Sequence, residues 1–354
     1  MEQKILNVGI DMGTSRSVIA ADNGVRTFVL SFVGYAKDAI SRKMIGKDVV
    51  FGEEALRHRL ALELHRPFDK GKLKFGEAIE KESAANIKKA KDVARALLKH
   101  LVSLATENED EGNLIIRGVL GTPALASVKN KKNLLEIAEG VLDDVMVVSE
   151  PFAVAYGLNL FSSALIVDIG AGTVDLCRMQ GTIPTADDQI TTLKAGDHVD
   201  QVFLSRIKEK YEDAEFTIAM IKRFKEENAA VTTVGERITI DLPVKGKPVP
   251  HDVTEELRLA CQSIVPDIVD GVRKLVADFD PEFQRGLKRN VVMAGGGSLM
   301  VGLRKEIEDY MKDKLGYGRV TVVEEPLFAG ANGALKLCKD MPDEYWDQLK
   351  SKKP

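Results

Sequence analysis

Two aspartates close apolar runs, and each is followed at once by a glycine turn. Asp168 ends Ala164-Leu165-Ile166-Val167 and leads into Ile169-Gly170-Ala171-Gly172-Thr173, while Asp11 ends Asn7-Val8-Gly9-Ile10 and leads into Met12-Gly13-Thr14-Ser15-Arg16-Ser17. A buried strand that delivers a carboxylate to such a turn sets a ligand for a hydrated divalent cation beside successive backbone N–H groups. Gly170 and Gly172 are expected to take positive φ and to open those N–H groups into a concave nest. The chemistry is the holding of polyphosphate with Mg²⁺. One D-x-G-x-G turn is equally the mark of an ordinary β-hairpin. Here its D-x-G opening occurs twice, with Ser15 at the place of Gly172 in the first copy, and in both copies an apolar strand follows: Val18-Ile19-Ala20-Ala21 and Val174-Asp175-Leu176-Cys177.

The repeat extends further. Val147-Val148-Ser149-Glu150-Pro151-Phe152-Ala153 is echoed by Val322-Val323-Glu324-Glu325-Pro326-Leu327-Phe328-Ala329, so each half opens on a hairpin and closes on a strand, Glu-Pro and a helix. Two similar facing domains follow, with one nucleotide clamped between the two phosphate hairpins. Pro151 suits the start of a helix, with Glu150 as its cap. Glu150 either complements the helix dipole or activates water for attack on a phosphate. Gly295-Gly296-Gly297-Ser298 follows an apolar strand and is either a plain loop or backbone laid flat against a ligand, at the strand ends where α/β sheets open their nucleotide sites. The spacings G-x-x-x-x-G-K-[ST], G-x-G-x-x-G after the first strand and H-E-x-x-H do not occur. All five histidines read as structural, with His58 and His65 on a surface helix.

The elements that must position these residues can be read in order. Strands are expected over 5–11, 25–32, 114–120, 145–148, 237–242 and 290–294, with Asn23-Gly24 as a type I′ turn. Helices are expected over 88–102, whose Val93, Leu97, Leu98 and Leu101 form a core stripe, and over 125–140, 218–228 and 257–279, the last kinked by Pro266. Asp197 is read as the N-cap of a helix carrying Val199, Val202, Phe203 and Ile207 on one face. Domain I takes 1–157 plus 326–354 with an inserted subdomain at about 33–69; domain II takes 158–325 with one at about 195–256.

At 354 residues, 44% hydrophobic and 29% charged, the chain suits two medium domains with full cores. A net charge of −4 with mixed signs gives no general reason to bind nucleic acid. Cys177, Cys261 and Cys338 are far apart and odd in number, the pattern of reduced thiols in a cytoplasmic protein. No apolar run is long enough to span a membrane, and Met1 to Lys4 is expected to lead straight into the first strand, leaving no room for an anchoring helix.

Stretches 9–17, 149–157, 167–175, 292–298 and 326–334 resemble, in order and spacing, the phosphate 1, connect 1, phosphate 2, adenosine and connect 2 motifs of the actin superfamily. Val147-Val148-Ser149-Glu150-Pro151-Phe152, Lys247-Pro248-Val249 and Tyr345-Trp346 bring the likeness closer to the bacterial actin-like filament proteins, and to their magnetosome-organising branch more than to their cell-shape branch. The resemblance implies an α/β fold of the actin, Hsp70 and sugar-kinase type, a duplicated ribonuclease-H-like architecture with the nucleotide in the interdomain cleft. It implies ATP and Mg²⁺ as cofactors and slow ATP hydrolysis coupled to filament dynamics. Asp11 and Asp168 match the metal-holding aspartates; Gly13, Thr14 and Ser15 match the first phosphate hairpin, and Gly170, Ala171, Gly172 and Thr173 the second. Glu150 matches the water-orienting position, with Asp168 and Thr173 beside it in the catalytic set. Lys225 and Glu226 match the pair flanking adenine and ribose, with Glu227 a competing register, and Gly295, Gly296, Gly297 and Ser298 match the adenosine loop. The role of Asp175 stays open. The implied partners are further copies of the chain and magnetosome adaptor proteins, in the cytoplasm, without nucleic acid or direct membrane insertion. A cell-shape filament protein is the alternative. A kinase of this fold would need a base aimed at a hydroxyl, and an Hsp70-type chaperone a further domain after Pro354.

Overall fold

The structure is a computed structural model describing residues 3–74, 84–232, 235 and 237–351; Met1 and Glu2, expected to lead into the first strand, lie outside that set. The chain divides into two compact units, Met1–Phe161 with Leu327–Pro354, and Ser162–Pro326.

The first unit opens with β1 (Lys4–Met12), β2 (Arg16–Ala21) and β3 (Arg26–Leu30). Strand periodicity sends Leu6, Val8 and Ile10 to one face of β1, where they join Leu97, Leu98 and Leu101 in the core. The turn after β2 is not type I′. Gly24 has φ 91° but Asn23 does not have positive φ; its amide instead donates to the Ala105 carbonyl and accepts from the Val25 N–H. An insertion follows: β4 (Val33–Ala36), α1 (Ala39–Ile45), β5 (Val49–Phe51), α2 (Gly52–Arg57), β6 (Leu62–His65), β7 (Phe68–Asp69) and β8 (Lys72–Leu73). The type I′ pattern of two positive φ values occurs here, at Lys70 and Gly71, and again at Lys245 and Gly246. His65 lies on β6, not on a surface helix, edge-on to Tyr35. Then come α3 (Ala84–Thr106), β9 (Leu114–Thr122), α4 (Val128–Ala138), β10 (Asp144–Ser149) and α5 (Glu150–Gly157). The sheet order is β10-β9-β1-β2-β3, with β1, β9 and β10 parallel.

The second unit repeats that order. It contains β11 (Ser162–Ile169), β12 (Val174–Gln180), β13 (Gln189–Thr192), α6 (Gly196–Lys210), α7 (Ile218–Asn228), β14 (Thr239–Val244), β15 (Lys247–Asp252), α8 (Thr254–Gln262), α9 (Val265–Ala277), α10 (Pro281–Arg289), β16 (Val291–Ala294), α11 (Leu303–Leu315) and β17 (Val320–Val322). Its five-stranded sheet, read from the far edge, runs β17-β16-β11-β12-β13, the same order as the first: a three-strand antiparallel meander joined to two parallel strands. The duplication read from the turns is therefore a duplication of sheet topology. The expected long helix at 257–279 is two helices. Pro266 sits in the first turn of α9, where a missing N–H leaves nothing unsatisfied.

The chain then returns to the first unit with α12 (Ala329–Asp340) and α13 (Asp343–Ser351). A Cβ at Gly9 would lie 2.0 Å from the Ala331 carbonyl oxygen, so α12 can lie against β1 only because that face of the strand is bare. Trp346 on α13 is 0% exposed and packs with Val119, Cys338 and the flank of β10. The strand, Glu-Pro and helix order recurs at the second junction as β17, Glu325-Pro326 and α12, but less tightly: bends and a turn fill the stretch from Val323 to Phe328, and α12 starts only at Ala329. No described helix is long and apolar enough to cross a membrane.

Candidate functional site

In the first unit Asp11 lies at the end of β1, one pair before the turn, opposite Val18 across the hairpin and Gly121 on β9. Gly13 does not need a left-handed backbone; a Cβ there would sit 2.5 Å from the Arg16 carbonyl oxygen, so it is tightness that demands glycine. Thr14 and Ser15 are 5% and 7% exposed. The Gly13 carbonyl accepts from the Ser31 hydroxyl at 2.7 Å, and the Thr14 carbonyl accepts from Arg66 Nε at 2.9 Å. Thr14 Oγ1 accepts from the Gly71 N–H at 3.1 Å, while the Gly71 carbonyl accepts from Asn130 at 3.2 Å. The insertion thus holds this turn.

Glu150 is the first residue of α5 and not its cap; Ser149 is the N-cap. A Cβ at Gly121 would lie 2.9 Å from Glu150 Cγ, so the glycine that pairs with Asp11 also makes room for the Glu150 side chain. Gly330 is a second small neighbour, its would-be Cβ 3.6 Å from Asp11 Oδ2. Sequence reasoning missed both as site-builders. The available signal for Gly121 was a glycine at the carboxyl end of an apolar strand.

In the second unit Asp168 is 8% exposed and pairs with Asp175, the same seven-residue offset as Asp11 with Val18. Neither Gly170 nor Gly172 has the expected positive φ. The Gly170 N–H donates to the Thr173 carbonyl at 2.9 Å, which closes the turn without left-handed backbone. The positive φ belongs to Gly295, at 76°, where a Cβ would strike Asp168 Oδ1 at 2.3 Å and the Ile169 carbonyl at 2.5 Å. Gly297 likewise clears Ile169 Cγ2. The glycine triplet is thus required in part by the strand beside it. Ser298 is buried and donates to the Gly295 carbonyl at 2.7 Å, while Gly296 opens the short 3₁₀ turn. Asp175 accepts from the Thr191 hydroxyl at 2.6 Å, a tie between β12 and β13.

Lys225 lies on α7. It is 6% exposed, ion-paired with Asp200 at 2.8 Å, and donates to the Gly196 carbonyl at 3.2 Å. Burial raises the Asp200 carboxyl above its ordinary range, against the pull of Lys225. Glu226 and Glu227 are exposed. Asp197 is in the first turn of α6, whose N-cap is Ala195. The three cysteines are free and buried, their thiols pushed up by burial to about 12, 11 and 12, which suits packing and not reactivity.

Among the described residues no three His, Cys, Asp or Glu side chains gather as a metal cage. Each turn by itself offers a donor of the kind Mg²⁺ takes, since that ion keeps its waters and uses one or two carboxylates together with phosphate oxygens. Asp11 and Asp168 each stand at a strand end beside a turn closed tightly by glycine.

Residues 6–345 match the MreB/Mbl protein family, and the chain belongs to it. The chain is 40% identical over 347 residues to actin-like protein MamK of Magnetospirillum gryphiswaldense, covering 97% of this chain and 92% of that protein. Among solved structures it is similar to a MamK double helical filament (TM-score 0.88, 37% identity, 96% of this chain and 100% of that one). It is also similar to a non-polymerising MamK mutant bound to AMPPNP (TM-score 0.70, 36% identity, 96% and 100%). The fold is the actin-like fold.

Proposed function

We propose that the chain is an ATP-dependent, actin-like filament protein that hydrolyses ATP slowly and organises magnetosomes through adaptor proteins in the cytoplasm. The observation that carries the reading is the repeated hairpin, an aspartate at one register beside a tight glycine turn in each of two sheets of matching order. The relatives named MamK supply the filament and the nucleotide, since one is described as a double helical filament and another as bound to AMPPNP. Mg²⁺ when bound neutralises charge on the phosphates. Asp11 and Asp168 would hold its waters, the backbone N–H groups of both turns would hold phosphate oxygens, and Thr173 would flank them. Gly295, Gly296, Gly297 and Ser298 would line the adenosine. Glu150 would orient the attacking water, a task that matters to rate more than to binding because phosphoryl transfer is mostly positioning and charge stabilisation.

Light scattering and electron microscopy with Mg-ATP test the reading, with filaments the expected result. Asp11→Ala and Asp168→Ala should each remove the thermal shift that Mg-ATP gives the wild-type chain. Glu150→Ala should slow hydrolysis about 10²-fold or more while binding persists, and filaments should outlast those of the wild type. A wild-type hydrolysis rate in that variant would reduce Glu150 to a helix-start residue. The family match favours one second reading, a cell-shape filament protein. Co-flotation of polymerised protein with anionic vesicles would favour it over an adaptor-linked scaffold.

A further inference from the structure

The second glycine turn is aimed by hydrogen bonds to its carbonyl oxygens. The Gly196 N–H donates to the Gly170 carbonyl at 3.1 Å and the Asp197 N–H to the Ala171 carbonyl at 2.7 Å, so the first two N–H groups of α6 are both spent on the turn. A trans peptide is planar, with its C=O and the next N–H pointing in opposite directions, and no described peptide bond is cis. Pinning the Gly170 oxygen therefore fixes the direction of the Ala171 N–H, and pinning the Ala171 oxygen fixes the Gly172 N–H. Both donors point away from α6. Because the carbonyls accept at the positive end of a helix, the donors on the far side of the same peptides are polarised in the sense that favours an anion.

What fixes the helix start is the buried pair. Lys225 Nζ reaches the Gly196 carbonyl at 3.2 Å and Asp200 Oδ1 at 2.8 Å, with Lys225 6% and Asp200 2% exposed. Gly196 packs closely on the turn: a Cβ there would lie 3.2 Å from Ala171 Cα and 3.3 Å from the Gly170 oxygen. We infer that Lys225 and Asp200 are positioning residues which, through Gly196, aim the Ala171 and Gly172 N–H groups at a bound polyphosphate, and that Lys225 touches neither base nor ribose. The inference rests on the proposed nucleotide binding and assigns Lys225 a different task within it.

The test compares wild type, Lys225→Met, Asp200→Asn and the double variant Lys225→Met with Asp200→Leu, using Mg²⁺ complexes of ATP, 2′-deoxy-ATP and GTP. Affinity and thermal stability are measured for each. Both single variants should bind all three nucleotides about tenfold more weakly, by one common factor, although Asp200 lies on α6 and not on the helix of Lys225. Replacing both members of a buried ion pair by apolar groups commonly returns stability, so the double variant should regain its melting temperature without regaining affinity. A loss that differs between ATP and 2′-deoxy-ATP or GTP would mean direct nucleoside contact and would overturn the inference. So would affinity that returns together with stability. A wild-type chain that fails to bind Mg-ATP would overturn the functional reading and this inference with it, and the wild-type measurement separates that failure from the others.

Discussion

The two glycine turns share a register and differ in what holds them. In the first unit the restraints on Thr14 come from the insertion: the half-buried Arg66 side chain on its carbonyl, and the Gly71 N–H of a two-residue hairpin on its hydroxyl. In the second unit two backbone N–H groups of a fifteen-residue helix hold two successive carbonyls, backed by an ion pair almost without solvent exposure. A side chain can let go alone, whereas the start of a long helix moves only with the helix. The same turn can therefore be built yielding or stiff, and the difference lies outside the motif.

The largest expected effect tests the stiff side. Lys225→Met leaves Asp200 buried without its cation and should cost about 3–5 kcal/mol of stability, whereas Arg66→Met should cost about 1 kcal/mol. Urea titration of both decides, and equal losses would end the distinction. Next is Gly295→Ala, where a Cβ meets Asp168 and left-handed backbone at once; about 3 kcal/mol is expected. Gly121→Ala, at the glycine paired with Asp11 in the first sheet, presses mainly on the Glu150 side chain, and about 1 kcal/mol is expected. A larger loss at Gly121 would show the first unit to be the more tightly built.

The smallest effect is pH-dependent. Burial alone would raise the Asp188 carboxyl, yet hydrogen bonds from Thr185 and Arg178 and the guanidinium charge hold it below its ordinary range. The native state then binds fewer protons than the unfolded chain, so the stabilisation is full above the ordinary carboxylate range and is lost as pH falls through the depressed native value. The gap in urea midpoint between wild type and Asp188→Asn should narrow on acidification. A gap constant with pH would assign Asp188 a packing role only.

The repeated aspartate and glycine pattern was legible because a strand that ends on a charge and turns at once has few conformations, and the apolar runs at 5–10 and 164–167 can only be interior strands. Less legible were features decided by distant partners. Asn23 was open to a type I′ turn until α3 offered its carbonyl, and Pro266 marked a break in place of a kink because Ser263 and Ile264 interrupt the hydrogen bonding first. Gly170 and Gly172 were read for positive φ, which neither has; a Cβ at Gly170 would instead press on the Thr173 carbonyl oxygen at 3.2 Å. Lys225 was legible in part: its position in a charged helix is visible in sequence, but its burial depends on Asp200, one helix earlier.

Trp346 gives the molecule a built-in optical reporter. It is the chain's only tryptophan, fully buried against the first unit's sheet, with the Arg117 guanidinium 5.7 Å from its ring. Its emission should be that of an indole shielded from water and should shift to the red when α13 detaches or the first unit melts. Unfolding confined to the second unit would leave the indole's surroundings unchanged, so comparison of fluorescence with far-ultraviolet circular dichroism would resolve the order in which the two halves come apart.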